Sequence, residues 1–172
     1  IAGASARDWE DMALGPGPTV GQDYLYLGDI GDNGAQYDLK YVYRVSEPLV
    51  EAHQSTAVEL TPQGADIIAF LYPDGKRDAE TLMIDPRTKD LYVVSKRELN
   101  VHVYCATYPQ STSETIILEH VASLPLGGVV AGDISRTGDE ILIKTYDAVY
   151  YWRRGSEQSI AQALSQAPAK LP

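Results

Sequence analysis

Arg77-Asp78-Ala79-Glu80-Thr81-Leu82-Met83-Ile84-Asp85 runs from charge into an apolar stretch, turns at Pro86–Lys89, and resumes as Asp90-Leu91-Tyr92-Val93-Val94. Two further segments share this order. Arg7-Asp8-Trp9-Glu10-Asp11-Met12-Ala13 is continued by Asp23-Tyr24-Leu25-Tyr26-Leu27, and Ala131-Gly132-Asp133-Ile134-Ser135 by Asp139-Glu140-Ile141-Leu142-Ile143. Short apolar runs bounded by Gly, Pro, Asp and Asn read as strands, and a strand–turn–strand unit that recurs along a chain points to a repeat architecture.

Extending each unit gives a consistent set of strands. The first strands are Glu10–Leu14, Glu80–Asp85 and Val130–Ser135; the second are Tyr24–Gly28, Leu91–Ser95 and Ile141–Lys144. Third strands are expected at Tyr41–Ser46, Val101–Ala106 and Ala148–Trp152, and fourth strands at Asp66–Tyr72 and Ile116–Ser123. Four-stranded antiparallel units in series, with Asp8, Asp78 and Asp133 spaced by 70 and then 55 residues, predict an all-β chain built from β-propeller blades. The blades fall roughly at 8–72, 78–124 and 130–153, with a loop between Pro48 and Gly64. The third unit lacks a fourth strand in this reading. Beyond Trp152 the sequence predicts one short helix at about 157–166, with Ser156 as N-cap and Pro168 as the stop. Three blades cannot close a ring, since propellers typically have about four to eight. Either further blades flank the segment or two copies pair as a homo-oligomer through open blade edges.

Composition narrows the function. The 172 residues, 44% hydrophobic, suffice for one packed domain. Twenty-four acidic against 14 basic residues give a charge of -10, which with no basic run argues against a nucleic-acid partner. No apolar stretch reaches membrane-spanning length. The single cysteine, Cys105, sits in a strand pattern and reads as a buried inert thiol, and His53, His102 and His120 are scattered with no metal-ligand spacing. The chain begins at Ile1 in mid-pattern and reads as an internal segment.

Ala6-Arg7-Asp8-Trp9-Glu10-Asp11-Met12-Ala13, Tyr26-Leu27-Gly28-Asp29-Ile30-Gly31-Asp32-Asn33, Tyr43-Arg44-Val45-Ser46-Glu47-Pro48, Pro73-Asp74-Gly75-Lys76-Arg77-Asp78-Ala79-Glu80 and Ala131-Gly132-Asp133-Ile134-Ser135 together resemble a bacterial group of exported β-propellers. That group is loosely linked to phytase-like and other six-bladed propellers. The resemblance implies an exported, periplasmic or extracellular protein, another blade before Ile1 and at least one after Pro172. It carries no activity over to this chain.

In a blade the first strand is innermost, and antiparallel order brings the loop before it and the loop after strand two to the same face. That face is expected to collect Asp8, Asp11, Asp78, Lys96 and Lys144 as ligand-binding residues around the channel mouth. Glu10, Glu80 and Asp133 each open an innermost strand and are the candidate catalytic acids, since grouped carboxylates shift each other's pKa or recruit a cation. Asp29, Asp32 and Asn33 sit around two glycines and offer oxygen donors for Ca²⁺, against the alternative of a turn capping its own backbone. For the carboxylates the alternative is structural: hydrogen bonds from a neighbouring blade's backbone, or ion pairs with Lys96, Lys144, Arg7 or Arg77. Three functions are compatible with this pattern. The first is a binding or scaffold module for a small or peptidic ligand, with Ca²⁺ as a possible cofactor. The second is a metal-dependent phosphoesterase-like hydrolase, and the third a structural module that pairs through its edges.

Overall fold

The computed structural model describes residues 3–57 and 64–171. Its strands in chain order are β1 (Trp9–Pro16), β2 (Asp23–Asp29), β3 (Lys40–Ser46), β4 (Asp66–Leu71), β5 (Ala79–Ile84), β6 (Leu91–Ser95), β7 (Val101–Ala106), β8 (Ile116–Ile117), β9 (Glu119–Leu124), β10 (Val129–Ile134), β11 (Glu140–Thr145) and β12 (Val149–Arg153). A short helix, α1 (Ile160–Leu164), and β13 (Ala169–Leu171) follow. They form three sheets, ordered β1-β2-β3-β4-β8, β5-β6-β7-β9 and β10-β11-β12-β13. Every pairing is antiparallel except the parallel contact of β8 with β4. The all-β expectation and the first three strands of each unit therefore stand, with ends moved by one or two residues.

The outer strands differ from expectation in three places. The run expected as one strand at 116–123 is split: Ile116 and Ile117 join the first sheet beside Phe70 and Leu71, while Glu119–Leu124 pairs with β7. The third unit does finish, because Ala169–Leu171 pairs with β12. The helix is shorter than 157–166 and starts at Ser159 rather than Ser156. Ser159 and Gln162 form a capping box, each side chain bonding the other's backbone N–H, which satisfies two orphan donors of the first turn. Of the expected loop, residues 48–57 carry no strand or helix, and 58–63 lie outside the described residues.

Burial explains the pattern in each sheet. Two clusters hold the structure together. In one, Ala13, Tyr26, Val42 and Phe70 of the first sheet meet Leu82, Ile84, Leu91 and Val93 of the second. In the other, Met83, Tyr92, Val94 and Val103 meet Ile134, Ile141, Ile143 and Trp152 of the third, with Ile160 and Leu164 of α1 closing one side. The second sheet is covered on both faces, so β6 is buried throughout, whereas β11 alternates between exposed and buried. β5 lies between β1 and β10. Gly132 permits the close approach of β10: a Cβ there would sit 2.8 Å from Thr81 Cγ2 and 2.9 Å from the Leu142 carbonyl.

Each inner strand carries a register irregularity at its start, between Trp9 and Asp11, Ala79 and Thr81, and Val129 and Ala131. The three bulges fix the frame of the repeat. Glu10, Glu80 and Val130 are equivalent, and so are Asp8, Asp78 and Gly128. Asp133 matches Ala13 and Met83 instead, so the sequence frame that aligned it with Asp8 and Asp78 was displaced in the third unit.

Candidate functional site

The bulges place Glu10 and Glu80 at one end of the inner strands, with Asp8 and Asp78 immediately before them. The turns after β2 and β6 descend on the same group. Gly31 N–H donates to the Asp8 carbonyl at 3.2 Å, and Lys96 N–H to the Asp78 carbonyl at 2.9 Å. The third sheet repeats the contact, with Tyr146 N–H reaching the Gly128 carbonyl at 3.3 Å.

Register equivalence then exposes an asymmetry. Gly31, Lys96 and Tyr146 each donate that backbone hydrogen bond to equivalent residues and so occupy the same place. In the second sheet, buried Lys96 pairs with Glu80 and lies 5.2 Å from the centre of the Tyr146 ring. Burial, the largest single influence, would lower the Lys96 pKa, but its hydrogen bonds to Glu80 and Tyr146 and their charges together outweigh it and the pKa is raised. In the first sheet the same place is taken by Gly31, which has no side chain, and among the described residues Glu10 has no ion-pair partner. Burial, followed by the charges of Glu80, Asp8 and Asp78, pushes the Glu10 carboxyl up to about 7, with Lys96 opposing.

Asp8 and Glu10 lean over Gly31. A Cβ on that glycine would stand 2.5 Å from the Asp8 carboxyl and 2.7 Å from Glu10 Oε1, so any larger residue would displace the two acids. Among the described residues neither carboxylate accepts a hydrogen bond or forms an ion pair. The neighbouring acids are all engaged. Asp78 Oδ1 accepts from Asp32 N–H at 2.7 Å and its Oδ2 from Arg97 Nε at 2.6 Å. Asp11 accepts from Met12 N–H and, across the sheets, from Leu82 N–H, both at 2.8 Å. Burial raises the Asp11 pKa, and Asp133 adds to the rise.

The Asp29–Asn33 loop directs most of its oxygens to the protein itself. Asp29 Oδ1 accepts from Asp8 N–H at 2.7 Å. Asp32 accepts from Gln36 N–H and Tyr37 N–H at 2.8 Å each and from Lys40 Nζ at 2.7 Å, with both charged partners buried. Although burial raises its pKa, these donors hold Asp32 below the usual carboxylate range. Asn33 Oδ1 receives Arg97 Nη2. This is the self-capped turn, with Lys40 as the cation paired to Asp32. Among the described residues no group of three or more His, Cys, Asp or Glu is gathered in metal-binding geometry.

Two expected members of the mouth lie elsewhere. Asp133 is exposed, three positions along β10 from the bulge; a strand advances about 3.3 Å per residue, so it sits near the opposite end of the inner strands. There it lines a cleft of about 300 Å³ with Leu14, Pro16, Ile84, Ile134 and Arg136. Lys144 is exposed on β11, whose alternate residues Ile141 and Ile143 face the second sheet, so its side chain points away from that sheet and its Nζ reaches the Thr145 carbonyl at 3.0 Å. The reasons differ: for Asp133 the frame is displaced, the third sheet carrying Gly128 and Val130 where the others carry acids, and for Lys144 strand alternation turns the side chain outward. Sequence reading also missed that Gly31 stands where the second sheet carries Lys96, because that equivalence lies in backbone hydrogen bonds and not in any motif.

Cys105 is buried, and burial pushes its thiol up to about 11, in keeping with an inert sulfur. No described helix is long and apolar enough to cross a membrane. Comparison with family profiles, curated proteins and solved structures gives no match to this chain.

Proposed function

We propose that the three sheets are successive blades of a β-propeller whose acidic mouth binds a cation, either Ca²⁺ or the cationic group of a small or peptidic ligand. The propeller reading is supported by the shared bulge, by the side-by-side inner strands, and by the faces of the outer sheets. Met12 and Leu14 are 57% and 45% exposed, while their register equivalents Leu82 and Ile84 are 0% and 2% exposed beneath the first sheet. The face of the first sheet is thus built for a neighbour of the same kind, as a blade's face is.

The binding reading rests on one observation: Asp8 and Glu10 converge and, among the described residues, neither forms an ion pair. Closely placed carboxylates either take up a proton or recruit positive charge. The Ca²⁺ expected at the Asp29–Asn33 loop would find its free oxygen donors on Asp8 and Glu10 instead, with water completing its shell. An amine or guanidinium would meet the same oxygens through charge-assisted hydrogen bonds.

Thermal unfolding with Ca²⁺ and, separately, with a small diamine tests this directly, because a ligand bound only by the folded chain raises Tm. A rise with either probe that is lost in Glu10→Gln supports the reading; no rise with both defeats it. A hydrolase is the second reading, because a carboxyl near 7 suits proton transfer at neutral pH. It is weakened by the distance of Asp133 from Glu10 and Glu80. Turnover of a generic aryl phosphate that disappears in Glu10→Gln would favour it over simple binding.

A further inference from the structure

The outer edge of the second sheet, on the side toward the first sheet, carries a second group that sequence spacing does not reveal. His102 lies on β7 and His120 on β9, and the two strands pair with His102 opposite Ser123 and Val103 opposite Ala122. Continued alternation would put Val121 opposite Tyr104. A bulge intervenes, so Tyr104 faces His120 and Val121 is the extra residue. Residues directly opposite in an antiparallel pair share a face, so this single inserted residue turns His120 onto the face of His102 and Tyr104. The two imidazole centres are 4.8 Å apart, and the Tyr104 ring lies 5.8 Å from His102 and 5.6 Å from His120.

The hydrogen bonds fix the tautomer of His102. Arg77 Nε donates to the Tyr104 hydroxyl at 3.2 Å, and that hydroxyl donates to Asp74 Oδ1 at 2.9 Å. Asp74 also pairs with Arg77 at 3.0 Å, and these donors hold it below the usual carboxylate range although burial alone would raise it. An ionised carboxylate only accepts and the Tyr104 hydrogen is directed to Asp74, so the contacts of His102 Nδ1 with Asp74 Oδ2 at 3.1 Å and with the Tyr104 hydroxyl at 2.9 Å place the hydrogen on Nδ1. The Nε2 lone pair of neutral His102 is therefore free, and among the described residues it has no hydrogen-bond partner. His120 Nε2 is 3.0 Å from the Ser123 hydroxyl, a rotatable group on the exposed strand.

A carboxylate holding one imidazole nitrogen while the other is left as a base is the arrangement found behind metal-ligating histidines. Imidazole pairs suit Zn²⁺, Cu²⁺ and Ni²⁺. We propose that His102 and His120 form a two-imidazole site for a divalent transition metal such as Zn²⁺, with Asp74 orienting His102 from behind. Water fills the remaining positions, which makes this an open site on the edge of the second sheet, separate from the acidic mouth.

The test is titration of the intact chain with Zn²⁺, read by calorimetry and by the imidazole ring signals in NMR, which separate this site from carboxylates at the mouth. Expected is one binding event that moves the ring signals of both His102 and His120. It should be lost in His102→Ala and in His120→Ala and weakened about tenfold in Asp74→Asn. Ring signals unmoved by Zn²⁺ would overturn the proposal. Unchanged affinity in His120→Ala would also overturn it; His120 is exposed, so this variant is expected to fold even if His102→Ala does not.

Discussion

The two ends of the inner strands carry the same kind of residue in opposite states. At the rim below β5, Asp85 is buried and receives Arg154 Nη1 on both oxygens at 2.9 Å, Arg87 N–H at 3.0 Å and the Thr88 hydroxyl at 3.1 Å. Arg154 is itself tied to the Gln158 carbonyl at 2.6 Å and so links the third sheet to the second. At the other end, above β1, Glu10 is half-buried among carboxylates and accepts no hydrogen bond among the described residues. A carboxylate whose every oxygen is matched by the chain is part of the framework. One left unmatched where acids crowd is available to something else.

Breaking the closed end should have the largest effect. Arg154→Ala strands a buried Asp85 and is expected to cost about 3–5 kcal/mol in denaturant unfolding, the range for an orphaned buried charge. A loss below about 1 kcal/mol would mean that the rim is not closed as described. Lys96→Met leaves Glu80 in the condition of Glu10, and a stability loss of about 1–3 kcal/mol is expected from the unmatched group. It should also raise the Glu10 pKa further, since Lys96 is the charge that lowers it. Asp11→Ala removes the acceptor for Leu82 N–H between two sheets, for a smaller loss of about 1 kcal/mol.

Glu10→Gln should act in the other direction. The Glu10 pKa is raised on folding from 4.5 to about 7, so between these values the folded state binds more protons than the unfolded state. Stability contributed by protonated Glu10 is complete below 4.5 and is lost as pH rises through about 7. Solvent screening at a half-buried group leaves an expected gain for the glutamine variant of about 1 kcal/mol at pH 8, fading to nothing near pH 4. A gain that persists unchanged at pH 4 would point to packing rather than charge.

The contrast between the two ends was only half legible in the sequence. Alternation in Tyr24–Leu27 and continuous burial in Leu91–Val94 gave the strands, because side-chain period and burial leave a direct imprint on residue type. The frame of the third unit was not visible, since Gly132-Asp133-Ile134 imitates an acidic strand start and a bulge leaves no compositional mark. Ala169–Leu171 is too short and too exposed to show a pattern, and the Ile116–Ile117 exchange depends on a parallel partner far away in sequence. Glu10 and Glu80 were recognised as a pair of strand-opening acids. That one of them is neutralised and the other is not came from Gly31 and Lys96 standing in the same place, which only the backbone hydrogen bonds reveal.

The most direct measurement is the pH titration of the Glu10 side-chain carboxyl by carbon-detected NMR, alone and with Ca²⁺ or a small diamine. The expected midpoint is about 7 in the free protein, moving down when a cation binds, because the cation favours the charged carboxylate. A midpoint near 4.5, unmoved by either probe, would contradict the assignment of Glu10 as the open carboxylate of a cation-binding mouth.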